Sequence, residues 1–306
     1  MERRDFLLTA VGVGVFTGAS LSFGNFDEVF ANTTDLVENI DMVAVKGGEP
    51  DVMLEKAMEA LGGMGKFVKK GQKVVVKPNI GWDCTPDRAA NTNPILVKRL
   101  VKFCLDAGAK EVVVFDNTCN EWQKCYKNSG IEKAVTEAGG KMLPGNSEEY
   151  YKPVDIPNGK VLKTTKVHEA ILNCDVFINV PVLKHHESGK LTVSMKNLMG
   201  IIWDRKSWHR TDLHQCIADF ATWRKPNLTI IDAYNVMTKN GPRGVSTADV
   251  VQMKQLLAGT DMVALDTAAA KVFGADPENI NYITAAHDMK IGTKDLTKLN
   301  IKKIIL

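Results

Sequence analysis

Three short apolar runs constrain this chain most: KVVVKP at 73–78, EVVVFD at 111–116 and DVFINVP at 175–181. Each is rich in β-branched residues and apolar without alternation, which is how a strand covered on both faces reads. Between the first two, Ile95, Leu96, Leu100, Val101, Phe103 and Cys104 share one helical face, and Pro94 suits the first turn. The same rhythm surrounds them. DMVAVKG (41–47) reads as a strand, 50–61 as a helix halted at Gly62-Gly63, 129–138 as a helix and 141–143 as a short strand. Farther on come a helix over 213–223, strands at LTIIDA (228–233) and QLLAG (255–259), helices over 261–273 and 277–287, and a last strand at LNIKKII (299–305).

This order predicts an α/β fold with a mainly parallel sheet and helices on both faces. VDIPNGKVLKTT (154–165) breaks the rhythm with two β-like pieces joined at Pro157-Asn158-Gly159, so a small β-hairpin insertion is expected near 151–166. Residues 32–306 are expected to form a single large α/β domain, with two lobes as the alternative division.

The N-terminus reads differently. MERRDFLLTAVGVGVFTGASLSF sets Arg3 and Arg4 before Phe6 and Leu7 and continues as a mild apolar run to about Phe16. It resembles a twin-arginine export signal, so the export machinery is an expected partner and 1–31 the expected signal segment. Glu2 stands where Ser or Thr is usual. The run is shorter than the roughly 20 residues that span a bilayer, and Val29-Phe30-Ala31 offers a cleavage point. The expected location is the periplasm or cell envelope, with an uncleaved tether as the alternative.

Thirty-nine basic against 36 acidic side chains give a formal charge of +3, far from the basic field of a nucleic-acid binder, and none is expected as a partner. Six cysteines contain no CxxC pair, so no iron–sulfur or structural zinc motif is present. Cys119 and Cys125 flank a loop and are candidates for a disulfide after export. No GxGxxG follows an early strand and GxSxG is missing, which disfavours classical dinucleotide binding and serine hydrolysis.

Ligands of parallel sheets bind beyond the carboxyl ends of the strands. Lys77 and Asn79 follow the first run, Asp116 the second, Lys184, His185 and His186 the third, and Asp232 follows LTII. Lys77, Lys184 and Lys196, with the amides of Asn79, Asn93 and Asn197, suit a carboxylate or phosphate. The loop MTKNGPRG presents Asn240 and Gly241 as backbone donors for an anion. Adjacent histidines point apart, so only one of His185 and His186 is expected at the site, and His185 is favoured for acid–base work or as a ligand. A metal would need Asp116, Asp232 or Asp266, and the residues leave its presence open. His209 and His214 lack helical metal-pair spacing; Trp203 and Trp208 suit packing better than a lid.

Long, ordered motifs then carry a resemblance: KPNIGW, TNPILVKRLVKFCLDAGAKEVVVFDN, VPVLKHH with LTVSMKNLMG, IIDAYNVMTKNGPRG and GTDMVALDTAAAKVFG. From about residue 73 to 292 the chain resembles the bacterial and archaeal family named domain of unknown function 362. The resemblance implies an α/β fold and favours His185 and the MTKNGPRG loop as site elements; it implies no settled activity. Many members carry a ferredoxin-like iron–sulfur segment that this chain lacks, so electrons would come from a separate redox partner. The expected function is an exported enzyme on a small anionic substrate, with oxidoreductase chemistry. His185, Lys184 and Asp232 are the catalytic candidates; Lys77, Asn79, Asn93, Asp116, Lys196, Asn197, Asn240 and Gly241 bind substrate. The alternative is a noncatalytic envelope protein holding a metal or small anion.

Overall fold

A computed structural model of the chain describes residues 23–31 and 39–306. Arg3, Arg4 and the apolar run after them lie outside the described residues. Among the described residues there are twelve strands: β1 Met42–Lys46, β2 Lys73–Pro78, β3 Glu111–Val114, β4 Lys141–Met142, β5 Tyr151–Asp155, β6 Thr164–His168, β7 Val176–Val180, β8 Val182–His186, β9 Lys190–Thr192, β10 Leu228–Met237, β11 Val250–Gly259 and β12 Ile301–Ile305. Ten of them make one sheet along the path β12-β1-β11-β10-β7-β2-β3-β4, with β8 attached beside β10 and β9 beside β8. Along that path the chain is parallel except at β11, which runs antiparallel to both β1 and β10. The fold is thus α/β with a large, mostly parallel sheet.

Alternation along the strands sorts side chains into two apolar layers. Val74 and Val76 of β2 face the layer holding Met53, Leu54, Leu96 and Leu100, whereas Val75 faces the layer holding Ile217, Phe220, Leu265 and Phe273. Lys77 follows Val75 by two residues and belongs to that second side. Caps fix the covering helices. Asn93 accepts from the Ile95 N–H at 2.9 Å at the start of Pro94–Asp106, and Asp261 accepts from Val263 and Ala264 at 2.8 and 3.1 Å at the start of Met262–Phe273.

The expected insertion forms as an antiparallel pair, β5 with β6, in a separate sheet. Its ladder ends at Asp155 and Thr164, so residues 156–163 make the connection, longer than a tight Asn-Gly turn. Asp219 fixes that loop, accepting from the Val161 and Leu162 N–H groups at 2.6 and 2.8 Å.

One expectation needs correction. LKHH, expected just beyond the carboxyl end of the strand at 175–181, is itself strand β8: Pro181 cannot donate to the ladder, so the chain breaks from β7 there and resumes as β8 beside the later part of β10. The residues just before the expected cleavage point are also ordered against the body. Phe26 and Phe30 are 1% exposed, sit 4.9 Å apart and join the core beside Met262–Phe273, with the Gly24 N–H bonded to the Val272 carbonyl at 3.2 Å. They are part of the folded body.

Candidate functional site

Where β2, β3 and β8 end, a cavity of about 100 Å³ opens, lined among others by Lys77, Asn79, Asp116, Lys184, Lys196 and Asn197. Cys119, Arg205 and His209 are shared with an adjoining surface cleft of about 650 Å³. The inner cavity has the room of roughly three waters.

A buried polar network sets its geometry. Lys77 Nζ lies 2.9 Å from Asp116 Oδ1, both side chains almost wholly buried. Asp116 Oδ2 also accepts from the Ile80 N–H at 2.6 Å. Lys77 donates to the Pro78 carbonyl at 2.8 Å and to Asn197 Oδ1 at 3.2 Å; the same oxygen accepts from Asn79 Nδ2 at 3.0 Å. Asn79 Oδ1 in turn accepts from Lys184 Nζ at 3.2 Å, and Lys184 also donates to the Ala90 carbonyl. Gly200 is obligatory here, because a Cβ would overlap Asp116 Oδ1 and the Lys77 ammonium.

Lys196 differs from the other two lysines. It is 7% exposed, and its Nζ has Met199 Sδ at 3.5 Å as its hydrogen-bond partner. The short helix Ser194–Asn197 that carries it is held by Asp266, whose oxygens accept from the Ser194 and Met195 N–H groups at 2.7 and 3.1 Å. Burial pushes the Asp266 carboxyl up to about 7. Arg205 projects from Arg205–Arg210; its guanidinium donates to the Asn117 and Thr118 carbonyls and reaches Cys119 Sγ at 3.4 Å.

Four cations, Lys77, Lys184, Lys196 and Arg205, therefore line the cavity with one carboxylate, Asp116. Burial pushes the Lys184 ammonium down to about 7 and that of Lys196 to about 8. It also lowers Lys77, opposed by Asp116. An anion entering the cavity reverses this, because it favours the protonated lysines. Calorimetry with an added anion is thus expected to show proton uptake above about pH 7 and weaker binding as pH rises through 7–8.

Two histidines line the cavity, His186 from β8 and His209 at the border with the outer cleft; His186 is the deeper-held of the two, 9% exposed. Its Nδ1 accepts from the Gly189 N–H at 3.1 Å, which leaves the proton on Nε2. Burial, with Lys196 and Lys184 nearby, pushes it down to about 2, so it is neutral and offers an N–H donor. Burial also lowers His209, whose ring centre lies 6.5 Å from that of His186.

The expected site residues divide sharply. Lys77, Asn79, Asp116, Lys184, Lys196 and Asn197 meet in the cavity; His185, Asp232, Asn93, Asn240 and Gly241 do not line it. His185 is turned away because strand residues alternate: Lys184 and His186 share one side, and His185 Nδ1 accepts from the Gly241 N–H at 3.1 Å on the other. Asp232 lies inside β10, not at its end, since that strand runs on to Met237. Its carboxyl, pushed up to about 6 by burial, accepts from the Asn93 and Tyr234 N–H groups at 2.7 and 3.1 Å. Asn93 is the helix cap. Asn240 donates to Asp249 Oδ1 at 2.7 Å, and Asp249 Oδ2 takes the Val245 and Ser246 N–H groups at 2.6 and 3.1 Å. The Asn240 amide thus serves an internal carboxylate and the Gly241 N–H serves His185. Pro242 is its member at the cavity.

Sequence reasoning passed over His186, Arg205 and Cys119 as site residues. Period-two alternation pointed to His186 once LKHH was read as a strand; no sequence signal marked Arg205 or Cys119. Cys119 is exposed and Cys125 buried, and both are free thiols. Trp208 is a core residue and Trp203 packs 5.3 Å from Tyr151. Among the described residues, no three His, Cys, Asp or Glu side chains gather as a metal set, and no helix is long and apolar enough to cross a membrane.

The fold and site together define an α/β protein with a cationic cavity at the strand ends. The sequence model described as domain of unknown function, DUF362, matches residues 74–271, and the chain belongs to that family. It is similar to the thylakoid-associated protein sll1697 of Synechocystis sp., 26% identical over 240 residues that cover 76% of this chain and 72% of that protein. The lactate racemase apoprotein of Thermoanaerobacterium thermosaccharolyticum is a structural neighbour at TM-score 0.40 and 12% identity, covering 78% of this chain. The match spans 60% of that structure's length.

Proposed function

We propose that this protein is an exported enzyme acting on a small anionic substrate, which Lys184, Lys196 and Arg205 hold in the cavity. The observation that carries this reading is Lys196: an ammonium 7% exposed, with a thioether as its hydrogen-bond partner. Burying an unpaired charge is costly, and a bound anion offsets that cost. Lys184 adds a second cation without a carboxylate of its own, and neutral His186 adds an N–H donor. Oxidoreductase chemistry with a separate electron donor is the reaction class proposed. It draws support from the twin-arginine pattern at Arg3-Arg4, a route for folded cargo, and from the ferredoxin-like segments of other family members. The thylakoid association of the Synechocystis relative is in keeping with a place at or beyond a membrane.

A noncatalytic envelope protein that holds a small anion is the second reading. The size of the inner cavity favours it, since about 100 Å³ leaves little room beside the anion. Native purification from an exporting host, followed by mass spectrometry of what is bound, tests both. A stoichiometric small carboxylate or phosphate is the expected result, and its conversion on adding a reductant or oxidant separates enzyme from binder. Protein that carries no anion and takes up none overturns both.

A further inference from the structure

We propose that Cys119 is the nucleophile of this cavity, attacking an electrophilic carbon of a small carboxylate held by Lys196 and Arg205. The proposal rests on the anion-binding reading and adds a reaction centre to it. Of the six cysteines Cys119 is the exposed one; burial pushes Cys104 up to about 12 and Cys125 up to about 11, which keeps both as inert thiols. Cys119 instead lies at the surface. Its sulfur lies 3.4 Å from Arg205 Nη2, and the guanidinium is fixed by the carbonyls of Asn117 and Thr118, the two residues just before it. The Cys119 N–H is tied to the Gly81 carbonyl at 2.7 Å, so the backbone beneath the sulfur is held as well.

Lys196 supplies an independent pointer to a ligand. More than nine-tenths buried, it lines the same cavity as Cys119 and has no oxygen or nitrogen partner among the described residues. An anion that satisfies it sits in a space of about 100 Å³ whose outer rim is the thiol. Fixed cations beside a reachable sulfur are the surroundings in which thiolates react. In the step itself the thiol proton passes to water and a sulfur lone pair forms an S–C bond. The bond from that carbon to the leaving group breaks, and its electron pair departs with the leaving group.

Iodoacetate and iodoacetamide test this directly, because they deliver the same carbon with and without a carboxylate. Modification rates at Cys119, located by peptide mass spectrometry, are compared in the folded chain and in the same chain unfolded in urea. The iodoacetate-to-iodoacetamide rate ratio is expected to rise about tenfold or more on folding, as in a charge-focusing cleft. Inorganic phosphate should suppress the rise, and both Lys196→Met and Lys196→Gln should remove it. Equal enhancement of both reagents, unmoved by the Lys196 variants, would reduce Cys119 to an exposed thiol and overturn the proposal. A flat ratio with phosphate still bound in calorimetry would overturn it while leaving the anion site standing. A flat ratio with no phosphate binding would remove both.

Discussion

Cutting the chain after Ala31 is expected to lower its melting temperature by roughly 10 °C or more, or to abolish cooperative unfolding. Phe26 and Phe30 are each 1% exposed and pack on each other against Met262–Phe273. Removing a buried Phe side chain costs about 3–5 kcal/mol, and two of them approach the total stability of many domains. A chain beginning at Phe23 should melt well above one beginning at Asn32. Equal melting of the two truncations would show that these rings contribute nothing to the core.

Asp116→Asn is expected to destabilise the protein by about 3–5 kcal/mol at pH 7, because it leaves the Lys77 ammonium buried with amide and carbonyl partners alone. The two side chains are 0% and 3% exposed and 2.9 Å apart. Asn also loses charge where the Ile80 N–H is received at 2.6 Å. Lys77→Met combined with Asp116→Asn should recover part of the loss, since no unpaired charge then remains. Urea denaturation of the two single variants and the double variant checks this. Additive losses would mean that the pair is not coupled.

How much of this the sequence disclosed follows from which forces act locally. Strands such as KVVVKP and DVFINVP were legible because both faces are buried, and helices such as Pro94–Asp106 because cap and periodicity agree. β8 was not, because its pairing with β10 depends on where Pro181 breaks the preceding strand, a tertiary matter. Within the cavity, Lys77, Lys184 and Lys196 were legible as cations suited to a carboxylate or phosphate. His185 was preferred to His186 without a settled strand register, and a shift of one residue exchanges the two faces. Asp232 looked like a strand-end carboxylate because LTIIDA seemed to stop there, whereas β10 continues to Met237. Arg205 reaches the cavity only through contacts with Asn117 and Thr118, nearly 90 residues earlier in the chain, which no local pattern encodes.

Lys196 carries the central claim, that a buried cation waits here for an anion. Its ammonium is pushed from 10.5 down to about 8 by burial, roughly 3 kcal/mol against the charged form. Between about pH 8 and 10.5 the unfolded chain holds a proton at Lys196 that the folded chain does not, so this group makes stability rise with pH across that window. Lys196→Met removes that penalty. Calorimetric titration of phosphate into the wild type and Lys196→Met at pH 6 and pH 9, alongside their urea stability, is the direct test. Wild-type protein should bind at pH 6 and about tenfold or more weaker at pH 9. The variant should not bind, yet should be about 1–3 kcal/mol more stable at pH 6. Equal phosphate affinity in the two proteins, or a variant less stable than the wild type at pH 6, would contradict the account.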